Sequence, residues 1–280
     1  MSDLALSAAG LTKRYGEHTA LDGLNMSVPR GAIYGFIGSN GAGKTTTLRI
    51  ALSLAAATSG TITVLGIERG TLPAPAVRGV SYLPDVPGLY PWLTAPEALR
   101  LAGDISGTPR DVTDARIPAL LSTAGLARVR GRIGGFSRGM TQRLGIATAL
   151  ISAPELLILD EPTSALDPLG RADVLALLAS LRGKTTVLFS SHLLADVERV
   201  CTHVGMIHNG AMIAEGPIAD VLARGSAAGE YEVRLRLPGP ESEGAIRDAL
   251  AAQGADIVSA GAVGASLQDV YVELTRGGAA

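Results

Sequence analysis

The sequence is poor in features that mark secreted proteins and nucleic-acid-binding proteins. It has a single cysteine, Cys201, so no internal disulfide can form. We therefore expect a reducing compartment, with Cys201 packed as a small apolar residue. The formal net charge is only −2, which disfavours a general binder of nucleic acid or anionic lipid. The first residues, M-S-D-L-A-L-S, include neither a basic nor an apolar segment, so we expect no signal peptide.

Long apolar runs are also missing, although hydrophobic residues make up 47% of the chain and the mean hydropathy is +0.30. The longest apolar-looking stretch, 146–159, is interrupted by Thr148, Ser152, Pro154 and Glu155. A membrane-spanning helix needs about 20 consecutive, mostly apolar residues. Much of the apolar content is alanine, which fills helices without forming a span, so we expect no membrane-spanning helix.

Short apolar runs alternate with helical patterns along most of the chain. The run A-I-Y-G-F-I-G, Ala32–Gly38, is typical of a buried parallel strand, and a glycine-rich turn follows it. Strands that alternate with helices predict a parallel α/β sheet, and Asn209-Gly210 between two apolar runs predicts a β-hairpin. The remaining predictions are strands at Leu24–Val28, Val80–Leu83, Leu156–Leu159 and Thr185–Ser190, and helices at Lys44–Leu54, Asp173–Leu181 and, with a break at G-T-P-R, Ala95–Leu126.

The last fifty or so residues differ in composition and pattern from the rest of the chain. Small and polar residues at Arg224–Gly229 predict a linker, and the strict alternation of Tyr231–Leu237 predicts a strand. A helix is predicted at Glu241–Gln253 and a closing amphipathic element at Ser266–Thr275. So small a unit has little core of its own, and we expect it to dock on something.

The segment G-S-N-G-A-G-K-T satisfies the complete phosphate-loop pattern, with an apolar strand before it and a helix after it. Its glycines let backbone N–H groups turn toward phosphate oxygens, Lys44 supplies a positive charge, and Thr45 offers a hydroxyl to Mg²⁺. The predicted nucleotide-binding residues of this segment are Gly38, Ser39, Asn40, Gly41, Ala42, Gly43, Lys44, Thr45 and Thr46.

A nucleotide site also needs carboxylates, and L-L-I-L-D-E places two at the end of a buried strand. We expect Asp160 to hold Mg²⁺ through water and Glu161 to polarise the attacking water as general base. A base of this kind contributes about 10²–10⁴-fold to a rate. Together with the phosphate loop, the pair predicts a nucleoside-triphosphate hydrolase.

Six motifs in order resemble those of the ATP-binding subunits of ABC transporters, over residues 4 to about 222. Beside the phosphate loop and L-L-I-L-D-E-P-T, they are K-R-Y-G, F-S-R-G-M-T-Q-R-L, S-A-L-D and S-S-H-L. The resemblance implies that Tyr15 stacks on adenine and that His192 senses the γ-phosphate, so that Lys44, Glu161 and His192 are the catalytic set. It also implies two cofactors, ATP and Mg²⁺. His18, His203 and His208 have no such context, and we expect surface or packing roles for them.

The resemblance further implies the architecture. It is an α/β P-loop nucleotide-binding domain of ABC type, with a mixed core sheet, an antiparallel β subdomain and an α-helical subdomain. We place this domain at residues 1–225 and its helical subdomain at about 86–150. A small C-terminal α+β accessory domain would occupy 226–280.

The segment F-S-R-G-M-T-Q-R-L raises the question of a second phosphate site. In ABC proteins two nucleotide domains pair head to tail, and each closes this peptide over the ATP of its partner. The resemblance thus implies that Ser137 and Gly139 contact the partner's ATP at a helix start. Asp167 of S-A-L-D either acts across the same dimer interface or pairs only locally.

Two positions depart from the family's pattern. Arg138 stands where glycine is usual, and we expect its long side chain to point outward. Asp85 replaces the glutamine expected after the Val80–Leu83 strand. A carboxylate can approach Mg²⁺ but cannot donate hydrogen bonds, so the role of Asp85 as a metal contact stays open.

The segment after Val80–Leu83, together with the tail, resembles the exporter branch that includes daunorubicin-resistance and polysaccharide-export ATPases. There the ATPase is a separate chain that works with a membrane-spanning permease. The resemblance implies a homodimer at the cytoplasmic face of the membrane, touching it only through the permease, with a drug, antibiotic, lipid or polysaccharide as cargo. Trp92, within Leu89–Leu93, either lines the groove for the permease or packs the helical insert.

Other classes of function remain as alternatives. A soluble ABC protein acting on ribosomes or DNA usually carries two such domains or a long coiled coil, and this chain shows one copy without sustained heptads. A catalytically weak regulatory clamp is the other alternative, because Arg138 and Asp85 depart from the pattern.

Overall fold

The structure is a computed structural model, and it describes residues 3–69, 77–164, 166–225, 239 and 242–254. Its strands are β1 (Leu4–Tyr15), β2 (His18–Pro29), β3 (Ile33–Ile37), β4 (Ser59–Val64), β5 (Ile67–Arg69), β6 (Val80–Leu83), β7 (Leu156–Leu159), β8 (Thr186–Ser191), β9 (His203–His208) and β10 (Ala211–Pro217). Its helices are α1 (Lys44–Ala51), α2 (Ala95–Ser106), α3 (Arg110–Thr123), α4 (Arg138–Leu150), α5 (Pro168–Ser180), α6 (Leu194–Val200), α7 (Ile218–Gly225) and α8 (Ser242–Ala252), with a 3₁₀ turn at Ile133–Gly135.

The larger of the two described sheets has six strands, in the order β10-β9-β3-β8-β7-β6. The five strands from β9 to β6 are parallel, and β10 joins β9 through an antiparallel hairpin. The predicted hairpin turn is confirmed, since Asn209 and Gly210 both have positive φ, of 47° and 80°. Because β3, β7 and β8 are parallel, their carboxyl ends lie at one edge of the sheet, where the loops at 38–43, 160–167 and 192–193 begin.

The central strands are buried on both faces, which is why their sequences are continuously apolar. In β3, Tyr34 and Phe36 point to one side, where they share a core with α1 and the second sheet. Ile33 and Ile37 point to the other side and pack with residues of α5 and α6. Cys201 lies buried in this second core as a free thiol, as predicted, and burial raises its pKa.

The second sheet is antiparallel, in the order β2-β1-β4-β5. The sequence patterns predicted the second half of β2, as Leu24–Val28, but missed β1, β4 and β5. Several register shifts interrupt the β1–β2 ladder, including one between Ala8 and Leu11, and they break the period of two on which strand prediction depends.

Helices α2, α3 and α4 form a third core, which includes Leu99, Ile117 and Leu144. The predicted break at G-T-P-R is confirmed, with α2 ending at Ser106 and α3 starting at Arg110. Glu97 accepts from the backbone N–H of Thr94 at 2.8 Å and completes a capping box at the start of α2.

The chain divides into two compact units, Met1–Arg224 and Gly225–Ala280. In the second unit α8 matches the predicted helix, whereas the predicted strand Tyr231–Leu237 and the element Ser266–Thr275 lie outside the described residues. The domain boundaries at 225 and the accessory role of 226–280 therefore stay predictions. Among the described helices, none combines the length and the apolar content that crossing a membrane requires.

Candidate functional site

The loop between β3 and α1 has a backbone that requires glycine at two places. Gly43 has φ +111°, and a Cβ there would lie 2.7 Å from the carbonyl oxygen of Ala20. A Cβ on Gly38 would lie 2.6 Å from the carbonyl oxygen of Ile207. Side chains are thereby excluded where the loop turns, and the N-terminus of α1 opens into a cavity.

An open cavity of about 320 Å³ lies along this loop, and it collects much of the predicted nucleotide site. Its walls are formed by Tyr15, His18, Ala20, Ser39, Asn40, Gly41, Gly43, Lys44, Thr45, Thr46 and Glu161. Tyr15 stands at the rim, 49% exposed, with the ammonium group of Lys13 4.8 Å from its ring centre. An exposed aromatic ring beside a phosphate loop offers a flat face to a nucleobase.

His18 belongs to this cavity although its sequence context carried no signal. It lies directly opposite Tyr15 in the β1–β2 ladder, across the tight turn at Gly16 and Glu17. Opposite residues of an antiparallel pair project from the same face of the sheet, so His18 shares the rim with Tyr15. A hairpin assignment around Gly16 would have revealed this pairing.

Lys44 is almost fully buried, with 6% of its side chain exposed, and its ammonium group has several partners. It donates to the carbonyl oxygens of Gly38 at 2.6 Å and Ser39 at 3.2 Å, and its Nζ lies 3.2 Å from Oε1 of Glu161. The backbone contacts hold the ammonium group at the loop. The carboxylate balances its charge.

Asp160 lies at the end of β7, buried, with hydroxyl groups on both of its oxygens. Thr45 Oγ1 donates to Oδ2 at 3.0 Å, and Ser190 Oγ donates to Oδ1 at 2.6 Å. Burial, followed by the negative charge of Asp160, raises the pKa of nearby Tyr82. The sequence assigned no role to Ser190, which only the pairing of β7 with β8 brings to this carboxylate.

The donors around Asp160 fit a hard divalent cation. A hydroxyl and a carboxylate are oxygen ligands of the type Mg²⁺ takes, with waters and substrate phosphates completing its shell. Within the described part of the chain, no three His, Cys, Asp or Glu side chains gather to hold a metal by themselves. Asp85 is exposed, does not line the cavity, and accepts a hydrogen bond from the N–H of Val86 at 2.9 Å.

Glu161 lies between two predicted catalytic partners. Its Oε1 pairs with Lys44, and its Oε2 lies 2.8 Å from Nδ1 of His192. Its backbone has φ +47°, a conformation that costs a non-glycine residue about 1–3 kcal/mol, and its N–H donates to Ser190 Oγ at 2.8 Å. The fold therefore brings Lys44, Glu161 and His192 together from three separate segments.

The residues predicted to act in trans lie elsewhere, outside the cavity lining. Ser137 caps α4 by accepting from Met140 N–H at 3.2 Å, and Gly139 packs closely against Gly170. Asp167 caps α5 through Oδ1, which accepts from Gly170 N–H at 2.8 Å, so local pairing accounts for one of its oxygens. Arg138 is exposed, as expected of a side chain that points outward.

Comparisons with known proteins all point to a single family. The family described as ABC transporter matches residues 21–164. The chain is 42% identical to the uncharacterized ABC transporter ATP-binding protein YxlF of Bacillus subtilis, over 77% of this chain and 72% of that protein. It is 40% identical to the bacitracin transport ATP-binding protein BcrA of Bacillus licheniformis, covering 81% and 74%. With the lantibiotic transport ATP-binding protein SrtF of Streptococcus pyogenes, identity is 38%, covering 75% and 90%.

A solved structure, the ATP binding subunit of an ABC transporter, superposes with a TM-score of 0.68 at 31% identity. The match covers 81% of this chain and 95% of that one. The α/β architecture predicted from the sequence is thereby confirmed.

Proposed function

This chain belongs to the ABC transporter family of ATP-binding domains, and from that premise we propose that it hydrolyses ATP to power an exporter. In this proposal it works as a dimer coupled to a separate membrane-spanning permease. The observation that carries the proposal is the position of Glu161, between Lys44 and His192 and beside a complete phosphate loop.

ATP would lie in the cavity along the loop. The backbone of Gly38–Thr46, the start of α1 and the ammonium group of Lys44 would bind the phosphates, and the ring of Tyr15 would stack on the adenine. The positions of two lining residues support this orientation of ATP, since Tyr15 is exposed at the rim of the cavity and Lys44 is buried at the phosphate loop.

Thr45 and Asp160 would hold Mg²⁺, whereas Asp85, which is exposed and accepts from the N–H of Val86, stays a doubtful contact. When bound, the metal would neutralise charge on the β- and γ-phosphates. The hydrogen bond from Ser190 fixes the orientation of the Asp160 carboxylate, so one edge of that group stays turned toward Thr45.

Hydrolysis needs a base at the γ-phosphate, and Glu161 is the carboxylate that lines the cavity. Once phosphate oxygens attract Lys44, the Oε1 atom of Glu161 is free to accept a proton from a water. His192, held through Nδ1 by Oε2, keeps its other ring nitrogen for the γ-phosphate. Both groups are already oriented, which lowers the cost of reaching the reactive geometry.

A second copy would complete the site. Ser137, Gly139 and Asp167 lie on helix starts away from this chain's own cavity, which supports a role toward ATP held by a partner. ATP would then stabilise the closed dimer, and hydrolysis would remove that preference.

The permease would dock where apolar side chains are exposed beside the helical core. Trp92 is 60% exposed and lies against Tyr90, with ring centres 5.0 Å apart, and Val86 is also exposed. That exposure favours a docking surface over packing within the helical insert. The chain would accordingly sit at the cytoplasmic face of a membrane through its permease, with residues 226–280 as an accessory domain.

The relatives' names indicate the class of cargo. Two of the relatives named above are described as serving bacitracin transport and lantibiotic transport. We propose a drug or antibiotic as the cargo of this transporter, and a lipid or polysaccharide as the alternative cargo.

Steady-state hydrolysis of Mg-ATP by the purified chain tests the catalytic proposal. We expect turnover per chain to rise with protein concentration across about a hundredfold range, because each site needs a partner copy. Lys44→Ala should abolish turnover, whereas Lys184→Ala, an exposed lysine remote from the loop, should not. Turnover that survives Lys44→Ala would refute the assigned site, and turnover per chain independent of concentration would refute the dimer.

A further inference from the structure

A buried carboxylate on α6 has no part in the chemistry described so far. Asp196 lies four residues after His192 and is 1% exposed. Its Oδ2 accepts from Thr163 Oγ1 at 2.6 Å, and its Oδ1 lies 2.5 Å from Arg171 Nε. Both oxygens are therefore occupied, each by a donor from a different segment of the chain.

The three segments joined by this carboxylate each carry a residue of the proposed site. Thr163 follows Glu161 by two positions in the loop after β7. Arg171 is in the first turns of α5, which Asp167 caps, and its backbone N–H donates to the carbonyl oxygen of Asp167 at 2.9 Å. Asp196 itself is in the first turn of the helix that follows His192.

Two observations argue for positioning over plain stabilisation. Buried ion pairs rarely stabilise a protein more than apolar residues of similar volume would, because desolvation offsets their attraction. Glu161 also holds a strained backbone conformation, and such conformations persist where the surrounding structure over-determines them. Ser190 fixes the loop at the N–H of Glu161, and the Thr163 hydroxyl fixes it two residues later.

We propose that Asp196 is a positioning residue, which holds the Glu161 loop, the Asp167 helix and the His192 helix in the register that hydrolysis requires. It lies outside the cavity lining and acts through Glu161 and His192. The inference rests on the proposed ATP hydrolysis, and it assigns to this buried pair the coupling between the base, the histidine and the dimer-facing helix.

Two variants weaken the cluster in different ways. Thr163→Val keeps the shape of the side chain and the Arg171–Asp196 pair but removes the hydroxyl, and Asp196→Asn removes the charge. We expect kcat to fall by about tenfold to a hundredfold in each, as for a small misplacement of catalytic groups. The Kd for a non-hydrolysable ATP analogue should change by less than about twofold. Thr163→Ser should restore most of the rate.

Arg182→Met is the matched control. Arg182 joins the far end of α5 to α6, donating from Nη2 to the carbonyl oxygen of Val200 at 3.0 Å. It tests the same helix contact away from the loop, and kcat should stay within about twofold of wild type. A loss in this control equal to the loss in Thr163→Val would mean that any loosening of the helix pair slows turnover, and would overturn the inference.

Two further readouts separate positioning from loss of stability. Hydrogen exchange at the amides of Glu161, Thr163 and Ser164 should speed up in Thr163→Val while exchange in β3 stays unchanged. In a double-mutant cycle, adding Thr163→Val to Glu161→Gln should lower the residual turnover only slightly, because both substitutions act through Glu161.

The outcomes distinguish this inference from the proposed function. Wild-type chain that does not hydrolyse ATP would refute the proposed function. Wild-type turnover together with unchanged kcat in Thr163→Val and Asp196→Asn would overturn this inference and leave the proposed function standing. Additive losses in the double-mutant cycle would also overturn it.

Discussion

Replacing Glu161 by glutamine should raise the affinity for nucleoside triphosphate as well as stop turnover. In the structure one oxygen of Glu161 lies 3.2 Å from the Lys44 ammonium group and the other lies 2.8 Å from His192. In the proposed function both groups would contact the γ-phosphate. The carboxylate would then compete with the phosphate, which would have to displace it from Lys44 on entering.

The size of the effect follows from the Lys44 pair. Two unit charges 3.2 Å apart attract by about 5 kcal/mol at an effective dielectric constant of about 20. Glu161 Oε1 accepts no hydrogen bond from the described residues, and desolvation offsets much of the attraction, so we take the net contribution of the ion pair to be on the order of 1.5 kcal/mol. Glutamine keeps the shape without the charge, so we expect affinity for a non-hydrolysable triphosphate to rise by about 1.5 kcal/mol, or roughly tenfold. Turnover should fall by about 10²–10⁴-fold.

Isothermal titration with the analogue at fixed Mg²⁺ concentration measures this gain. The matched control is Glu155→Gln, the same chemical change just before β7, at a surface carboxylate paired with Arg30 at 2.7 Å. An exposed pair contributes at most about 1 kcal/mol to stability, and nucleotide affinity should not change there. Equal or weaker binding by Glu161→Gln would refute the competition between Glu161 and the phosphate, and unchanged turnover would remove Glu161 from the role of base.

Three further predictions concern stability, the departure from the family pattern and docking. Burial, reinforced by the charge of Glu215, raises the pKa of Tyr34, so the folded chain retains a proton that the unfolded chain loses above about pH 10. The free energy of unfolding should therefore fall as pH rises above about 10, by up to about 1.4 kcal/mol per pH unit. Cys201, whose pKa is also raised by burial, should add a similar fall from about pH 9. In urea titrations at several pH values, Tyr34→Phe should show a smaller fall than wild type. A Tyr34→Phe curve as steep as wild type would contradict this linkage. Arg138→Gly should leave hydrolysis within about tenfold of wild type, because the side chain is exposed, and complete loss would mean that Arg138 contacts nucleotide or partner. Trp92→Ser should weaken co-purification with the permease by about 2 kcal/mol or more without changing ATP affinity, and unchanged co-purification would exclude this surface.

Local sequence patterns are enough to predict many residues of the candidate site. The phosphate loop and the carboxylates of L-L-I-L-D-E occur as contiguous segments whose residue types and spacing carry their chemistry, so they were found without any contact information. The buried strands were equally visible, because strands covered on both faces are continuously apolar. The sequence does not predict strand β1, because its register shifts break the alternation of apolar and polar residues.

Contacts between distant segments were invisible in the sequence. Nothing in the order of residues places Ser190 on Asp160 or Asp196 against Thr163, because each pair depends on how strands and helices pack.

Residue types and short spacings thus specify which chemistry this chain can perform, because a phosphate loop and a strand-end carboxylate act through atoms that neighbouring residues supply. Tertiary packing specifies how those groups are charged, oriented and held. Lys44, Glu161 and His192 come from three segments, and their mutual distances of 3.2 and 2.8 Å exist only because parallel strands end at one edge of the sheet.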